Sequence, residues 1–181
     1  MRGMYKNNPA LQTISTLASI DLESIKSDAS VFIETGTNIG NGVQKALDSG
    51  FPKVISFENN DLLYRGSVKR FEGDDRVKLF FGDSRACLLD VIKDIEEKML
   101  FWLDGHDYHD IPLIEELNQI KSLKRNDHVI LIDDVRMMDT REWDNLKKSD
   151  VEKKVMEINN EYKIYYIDSI SAPNDIMVAN V

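Results

Sequence analysis

Apolar residues along the chain follow two rhythms. Within the first 28 residues Leu11, Ile14, Leu17, Ala18 and Leu22 recur at helical spacing behind Pro9, which suits the first position of a helix after Asn8. An amphipathic helical preface over 1–28 is the expectation, followed by a domain over 29–181. From residue 31 onward the rhythm changes. Short, β-rich apolar runs at 31–34, 54–58, 77–81, 99–104 and 128–133 alternate with helical patterns at 41–49, 61–71, 85–98 and 112–123. Strands that alternate with helices imply right-handed crossovers and a parallel sheet covered on both faces. Strands covered on both faces read as unbroken apolar runs, and these do. The last two runs, 162–168 and 175–181, have only a turn between them and should pair antiparallel. The expected fold is therefore a doubly wound, three-layer α/β/α, Rossmann-like domain with seven strands, the last one antiparallel.

Composition narrows the function classes. With 42% apolar and 30% charged residues over 181 positions, the chain belongs with single-domain globular proteins rather than disordered or fibrous ones. A net charge of −9 argues against nucleic acid as the main partner, since phosphate binding relies on Lys and Arg. No run of about 18 apolar residues exists to span a bilayer, and no apolar stretch resembling a secretion signal follows the first basic residues. A single cysteine, Cys87, excludes an internal disulfide and suits a reducing, cytoplasmic setting.

Open α/β sheets bind ligands at the carboxyl ends of their strands. Here each of the five parallel strands ends at or beside a carboxylate: Glu34, Glu58, Asp83, Asp104 and Asp133-Asp134. After the first strand, Gly36, Gly40 and Gly42 allow tight backbone turns just ahead of a helix N-terminus, where unpaired N–H groups attract polar or anionic atoms. The spacing G-x-x-x-G-x-G is not the dinucleotide fingerprint, which weighs against a nicotinamide oxidoreductase. Glu58, at the end of the next strand, can accept both hydroxyls of a ribose. Asp83 and Ser84 suit either an adenine edge or the cap of the helix that follows, and the two roles are compatible.

The set Phe32-Ile33-Glu34-Thr35-Gly36-Thr37, Phe57-Glu58, Gly82-Asp83-Ser84, Phe101-Trp102-Leu103-Asp104-Gly105-His106 and Ile130-Leu131-Ile132-Asp133-Asp134 resembles the class I S-adenosylmethionine-dependent methyltransferases over residues 29–181. The resemblance implies the strand order 3-2-1-4-5-7-6. It implies that Glu34, Gly36, Thr37 and Gly40 surround the methionine part of S-adenosylmethionine, that Glu58 and Asn59 meet the ribose, that Asp83 and Ser84 meet the adenine, and that Asp104 faces the transferred methyl. Thr37-Asn38 stands where that family usually has its second glycine.

Several carboxylates at adjacent strand ends suit a hard cation, so Asp104, Asp133 and Asp134 are candidate ligands for Mg²⁺. The arrangement is similar to that of metal-dependent O-methyltransferases, in which the ion would acidify a hydroxyl of a small sugar- or catechol-like acceptor. His106, in the same loop, is a candidate general base. His109 reads as part of a polar loop and His128 as structural. Trp102 reads as core, and Trp143 as either a pocket wall or an anchor. The competing expectation is a non-catalytic nucleotide-binding or assembly module on the same fold. A domain this short, with no dedicated substrate lid, is also expected to complete its pocket as a homo-oligomer.

Overall fold

The apolar runs become strands because each can bury both faces. Along β4 (Met99–Leu103), Met99, Phe101 and Leu103 enter one hydrophobic core, while Leu100 and Trp102 enter the other. The computed structural model describes residues 16–107 and 109–181. Its sheet has seven strands in the order β3-β2-β1-β4-β5-β7-β6. β1 (Val31–Thr35), β2 (Lys53–Glu58), β3 (Val77–Phe81), β4 and β5 (Val129–Ile132) are parallel, whereas β7 (Ile176–Asn180) runs antiparallel to both β5 and β6 (Lys163–Ile167). β1, β4 and β5 are buried along their whole length, and the edge strands β3 and β6 are partly exposed. Both the fold and the strand order are those expected.

Five longer helices cover the faces: α2 (Asn41–Asp48), α3 (Asp61–Arg70), α4 (Ser84–Ile92), α5 (Leu113–Lys121) and α6 (Lys148–Ile158). Ahead of the sheet lie a 3-10 turn, Thr16–Ser19, and the four-residue α1 (Leu22–Ile25). Leu17, Ile20 and Leu22 belong to the core that also contains Phe32 and Trp102, so this part of the preface packs as one body with the sheet. Ala18 is exposed, and Pro9, Leu11 and Ile14 lie outside the described residues.

One helix stops well short of its predicted bounds. The pattern predicts a helix over 85–98, but α4 stops at Ile92, and the acid-rich 94–98 segment packs only Ile95 against the core before it turns into β4. α6 shows on its surface the lysines that suggest a solvated face, and it also buries Val151, Val155 and Ile158 at helical spacing against the core. His128 is structural as expected: its Nδ1 accepts the Met99 N–H at 3.1 Å, its carbonyl accepts the Tyr162 hydroxyl, and burial lowers its imidazole pKa to about 4.

The central strands should dominate stability. Leu100→Ala, at a fully buried site, is expected to cost about 2–5 kcal/mol in urea unfolding, whereas Leu62→Ala at an exposed helix position should stay within about 0.5 kcal/mol. Equal losses from the two would contradict the described core.

Candidate functional site

β1 delivers the chain into a turn that only glycine can make at its first position. Gly36 has φ +88°, and its N–H and that of Thr37 both donate to the Phe57 carbonyl on β2, at 2.9 and 3.0 Å. A side chain at Gly36 would strike the Asp104 carbonyl oxygen, so at this point the backbones of the β1 and β4 tips touch directly. Gly42, in the first turn of α2, leaves room for the Glu34 carboxylate, into which any Cβ there would run. Gly40 packs against the Phe71 ring.

Glu34 is 2% exposed and faces inward. Thr37 donates to the Ser56 hydroxyl, and Ser56 donates to Glu34, each over 2.6 Å. Burial, and next the charge of Glu58, raise the Glu34 pKa from 4.5 to about 8. Glu34 and Thr37 thus form the underside of the glycine turn. This also accounts for a threonine where a glycine is usual, since its hydroxyl has a partner below.

Glu58 holds the upper side. Its two carboxylate oxygens accept the Asn38 N–H at 2.7 Å and the Asn60 N–H at 2.8 Å, which stitches the turn after β1 to the end of β2. Beside it opens a narrow crevice, about 30 Å³, lined by Gly36, Glu58, Asn59, Asp83, Ser84 and Arg85, among others. Asp83 serves as the cap of α4, accepting the Arg85 N–H at 2.9 Å, and also as a crevice wall. The Arg85 guanidinium binds Asp83 at 2.5 Å and reaches Asp110 at 2.7 Å, so it bridges two sides of the opening. That hydrogen bond holds the Asp83 carboxyl below the usual range.

Past the β4 and β5 tips the acids gather. One oxygen each from Asp104 and Asp134 and a ring nitrogen of His106 lie within 4.8 Å of one another. His106 Nε2 is 2.8 Å from Asp134, and its ring meets the edge of Trp143 with centroids 4.5 Å apart. Asp134 has φ +56° and also pairs with Arg136 at 2.5 Å. Burial works to raise its pKa, but His106 and Arg136 prevail and hold it below the usual value. Asp104 is pushed well up by burial and then by Asp133, Asp134 and Glu34. The buried Trp102 indole N–H points toward it and works in the opposite direction, though short of full hydrogen-bond geometry. Asp133 turns away from this group: its carboxylate accepts the Thr16 hydroxyl and the Asp134 N–H, and burial, then Asp134, raise its pKa to about 7. Of the three predicted metal ligands, Asp104 and Asp134 share a donor set with His106, while Asp133 belongs to a second acidic group with Asp134 and Asp175.

Of the predicted cofactor residues, Gly36, Glu58, Asn59, Asp83 and Ser84 line the crevice, Asp104 stands where the acids gather, and Glu34, Thr37 and Gly40 support the turn from behind. Trp143 is an anchor, 2% exposed. Sequence reasoning missed Arg85, Asp110, Arg136 and the buried Glu116. Glu116 left a signal: it occupies the buried stripe of α5 with Leu113, Leu117 and Ile120, where a carboxylate is out of place.

No protein-family model matches the sequence, and no curated protein matches it. Solved structures do match in fold. An O-methyltransferase from Bacillus cereus in complex with SAH is 15% identical, at a TM-score of 0.61, over 96% of this chain and 81% of its own. An rRNA methylase from Streptococcus thermophilus is 16% identical, at 0.53, over 88% and 90%. A spermidine synthase from Thermotoga maritima is 11% identical, at 0.59, over 87% and 54%. The chain therefore has the fold of the class I methyltransferases, a fold also used for other transfers. No helix among the described residues is long and apolar enough to cross a membrane.

The buried Glu34 sets a pH dependence. Because its folded-state pKa is raised, its contribution to stability is fully present below pH 4.5 and is lost as pH rises through about 8. Glu34→Gln should therefore gain on the wild type in melting temperature between about pH 5 and pH 9, by several degrees at the alkaline end. A constant gap across that range would show that Glu34 does not titrate there.

Proposed function

We propose that this protein is an S-adenosylmethionine-dependent methyltransferase acting on the oxygen of a small hydroxylated acceptor. The observation that carries the reading is one continuous line of groups along the carboxyl edge of the sheet. A narrow crevice with a carboxylate at the end of β2 leads directly, through the Gly36–Asp104 backbone contact, into a cluster of acids and a histidine. S-adenosylmethionine supplies an electrophilic methyl group on a sulfonium. The residues present suit it. Glu58 has lone pairs left for ribose hydroxyls beyond those taken by Asn38 and Asn60, and Asn59 lies beside it. Asp83 and Ser84 form the base side. Gly36, Gly40 and the turn braced by Glu34 and Thr37 bring the start of α2 to the amino-acid end, and Asp104 borders the reacting centre.

For the transfer itself, an acceptor oxygen forms a bond to the methyl carbon as the carbon–sulfur bond breaks, and the hydroxyl proton must leave. His106 is the base we assign. With Nε2–H donated to the Asp134 carboxylate, Nδ1 is the basic ring atom, and Asp134 and Trp143 fix the ring. A divalent ion such as Mg²⁺ is the alternative to this base: it would be held by Asp104, Asp134 and the His106 nitrogen that otherwise donates to Asp134, in competition with Arg136, and would supply Lewis acidity at the hydroxyl.

The small acceptor follows from charge. A net −9 and the Asp104, Asp110, Asp133 and Asp134 carboxylates around the site oppose a polyanion, although rRNA methylases share the fold. The Arg85 bridge from Asp83 to Asp110 favours a second reading, a nucleotide-binding module without turnover, because it partly closes the crevice.

Calorimetry with S-adenosylhomocysteine and S-adenosylmethionine, with Mg²⁺ and with EDTA, tests both readings. Wild type should bind each ligand, and Glu58→Gln should weaken binding about tenfold. Absence of heat under every condition would overturn the cofactor assignment. Affinity unchanged by Mg²⁺ or EDTA in the presence of a catechol would remove the ion from the proposal.

A further inference from the structure

Glu116 is a buried acid with no role in the chemistry above. It is 1% exposed, in the first turn of α5, and none of the ion pairs among the described residues includes it. Its neighbours are hydroxyls. Ser84 Oγ donates to Glu116 Oε1 at 2.5 Å, and the Thr35 hydroxyl lies alongside and favours the ionised carboxylate. Thr35 Oγ1 in turn accepts the Asp104 N–H at 3.3 Å. A Cβ added at Gly105 would sit 3.3 Å from Glu116 Oε1 and 3.1 Å from Thr35, so the carboxyl also abuts the backbone just beyond Asp104. His106 and Glu116 share the wall of a small inner cavity with Trp143. One carboxyl group is thus wedged between the tips of β1, β3 and β4, and each of those tips carries a residue of the candidate site.

We propose that Glu116 is the positioning residue of this site: held between the Ser84 and Thr35 hydroxyls, its carboxylate fixes the base-side wall of the crevice and, through Thr35, the backbone of Asp104. The inference deepens the methyltransferase reading and rests on it for the ligand. The ionised form accepts from both hydroxyls at once, which leaves the Thr35 oxygen oriented toward the Asp104 N–H. The neutral form carries a proton that competes with one of these donors, so the wall loosens. Burial raises the Glu116 pKa to about 7, which places the change in the neutral range. The charged groups that act on it are His106 after β4, which favours the ionised form, and Asp83 at the start of α4, which opposes it. Where α5 meets α6, Lys121, Lys154 and Glu157 pair among themselves.

Glu116→Gln matches the neutral acid in shape and charge, so the test is a ratio. S-adenosylhomocysteine affinity should be nearly equal for the variant and the wild type at about pH 5.5, and about fivefold weaker for the variant at about pH 8.5. In the ligand-free protein, hydrogen exchange at the Asp104 and Gly105 amides should follow the same course, with protection lost about fivefold in the variant only on the alkaline side. Thr35→Val, which cuts the link to Asp104 and keeps the shape, should lower that protection at both pH values. A variant-to-wild-type ratio that does not change with pH, in binding and in exchange, would reduce Glu116 to a packing residue and overturn the proposal. Wild type that binds no S-adenosylhomocysteine would overturn the methyltransferase reading instead, and the exchange measurement would still decide the role of Glu116.

Discussion

Buried negative charge is the constraint on which this molecule turns. Glu34, Glu58, Asp133 and Glu116 are each less than a tenth exposed, Asp104 and Asp134 stand beside them, and all six lie at one edge of the same sheet. A carboxylate taken out of water costs several kcal/mol unless it is hydrogen-bonded, paired or protonated. Each of these outcomes is used. Glu58 takes two backbone N–H groups. Glu34 and Glu116 take serine and threonine hydroxyls, which lower their pKa values only partly against burial, and both remain raised. Asp134 receives a cation and a histidine, and it is held below its ordinary pKa.

That distribution divides the edge into two parts. Along the crevice the acids are bound to backbone and hydroxyls, so their job is to fix loops: the glycine turn through Glu58 and Glu34, and the β3 tip through Glu116. Past β4 the acids face each other, and the conflict is left to His106, Arg136 and protons. Arg136 also pairs with the fully buried Asp175, which joins the turn before β7 to the tip of β5. Thr16 plays a like part for Asp133, so the segment ahead of the sheet is bonded into the acidic region rather than merely packed near it.

How much of this could be read in advance depended on distance along the chain. The strands were legible because a strand buried on both faces must be apolar at every position, as in Met99–Leu103 and Val129–Ile132. The carboxylates at strand ends were legible because each follows such a run directly. Partners across the fold were not: Arg85 with Asp110, Thr16 with Asp133 and Arg136 with Asp175 join residues 25 to 117 positions apart, and no local pattern records them. Glu34 was assigned to the ligand side because the resemblance places an acid there. Its direction followed from Gly42, whose missing side chain opens the space beneath α2, and that relation appears only once helix and strand are stacked. Glu116 was legible in principle, as a charge inside an apolar stripe.

An edge that keeps unrelieved negative charge has a chemical preference. Under the proposed function the donor is a sulfonium cation and the spent product is neutral, while Asp104, which borders the reacting centre, and Asp133 behind it both have charged forms disfavoured by their surroundings. A cation placed beside them would stabilise those charged forms, and loss of its charge on transfer would remove that benefit. Such an arrangement binds the donor better than the product and makes protonation of the edge accompany turnover. The same charge repels phosphate backbones and attracts cationic or neutral hydroxylated acceptors. The electrostatic strain that the fold tolerates at this edge is therefore also the feature most able to select both of its ligands.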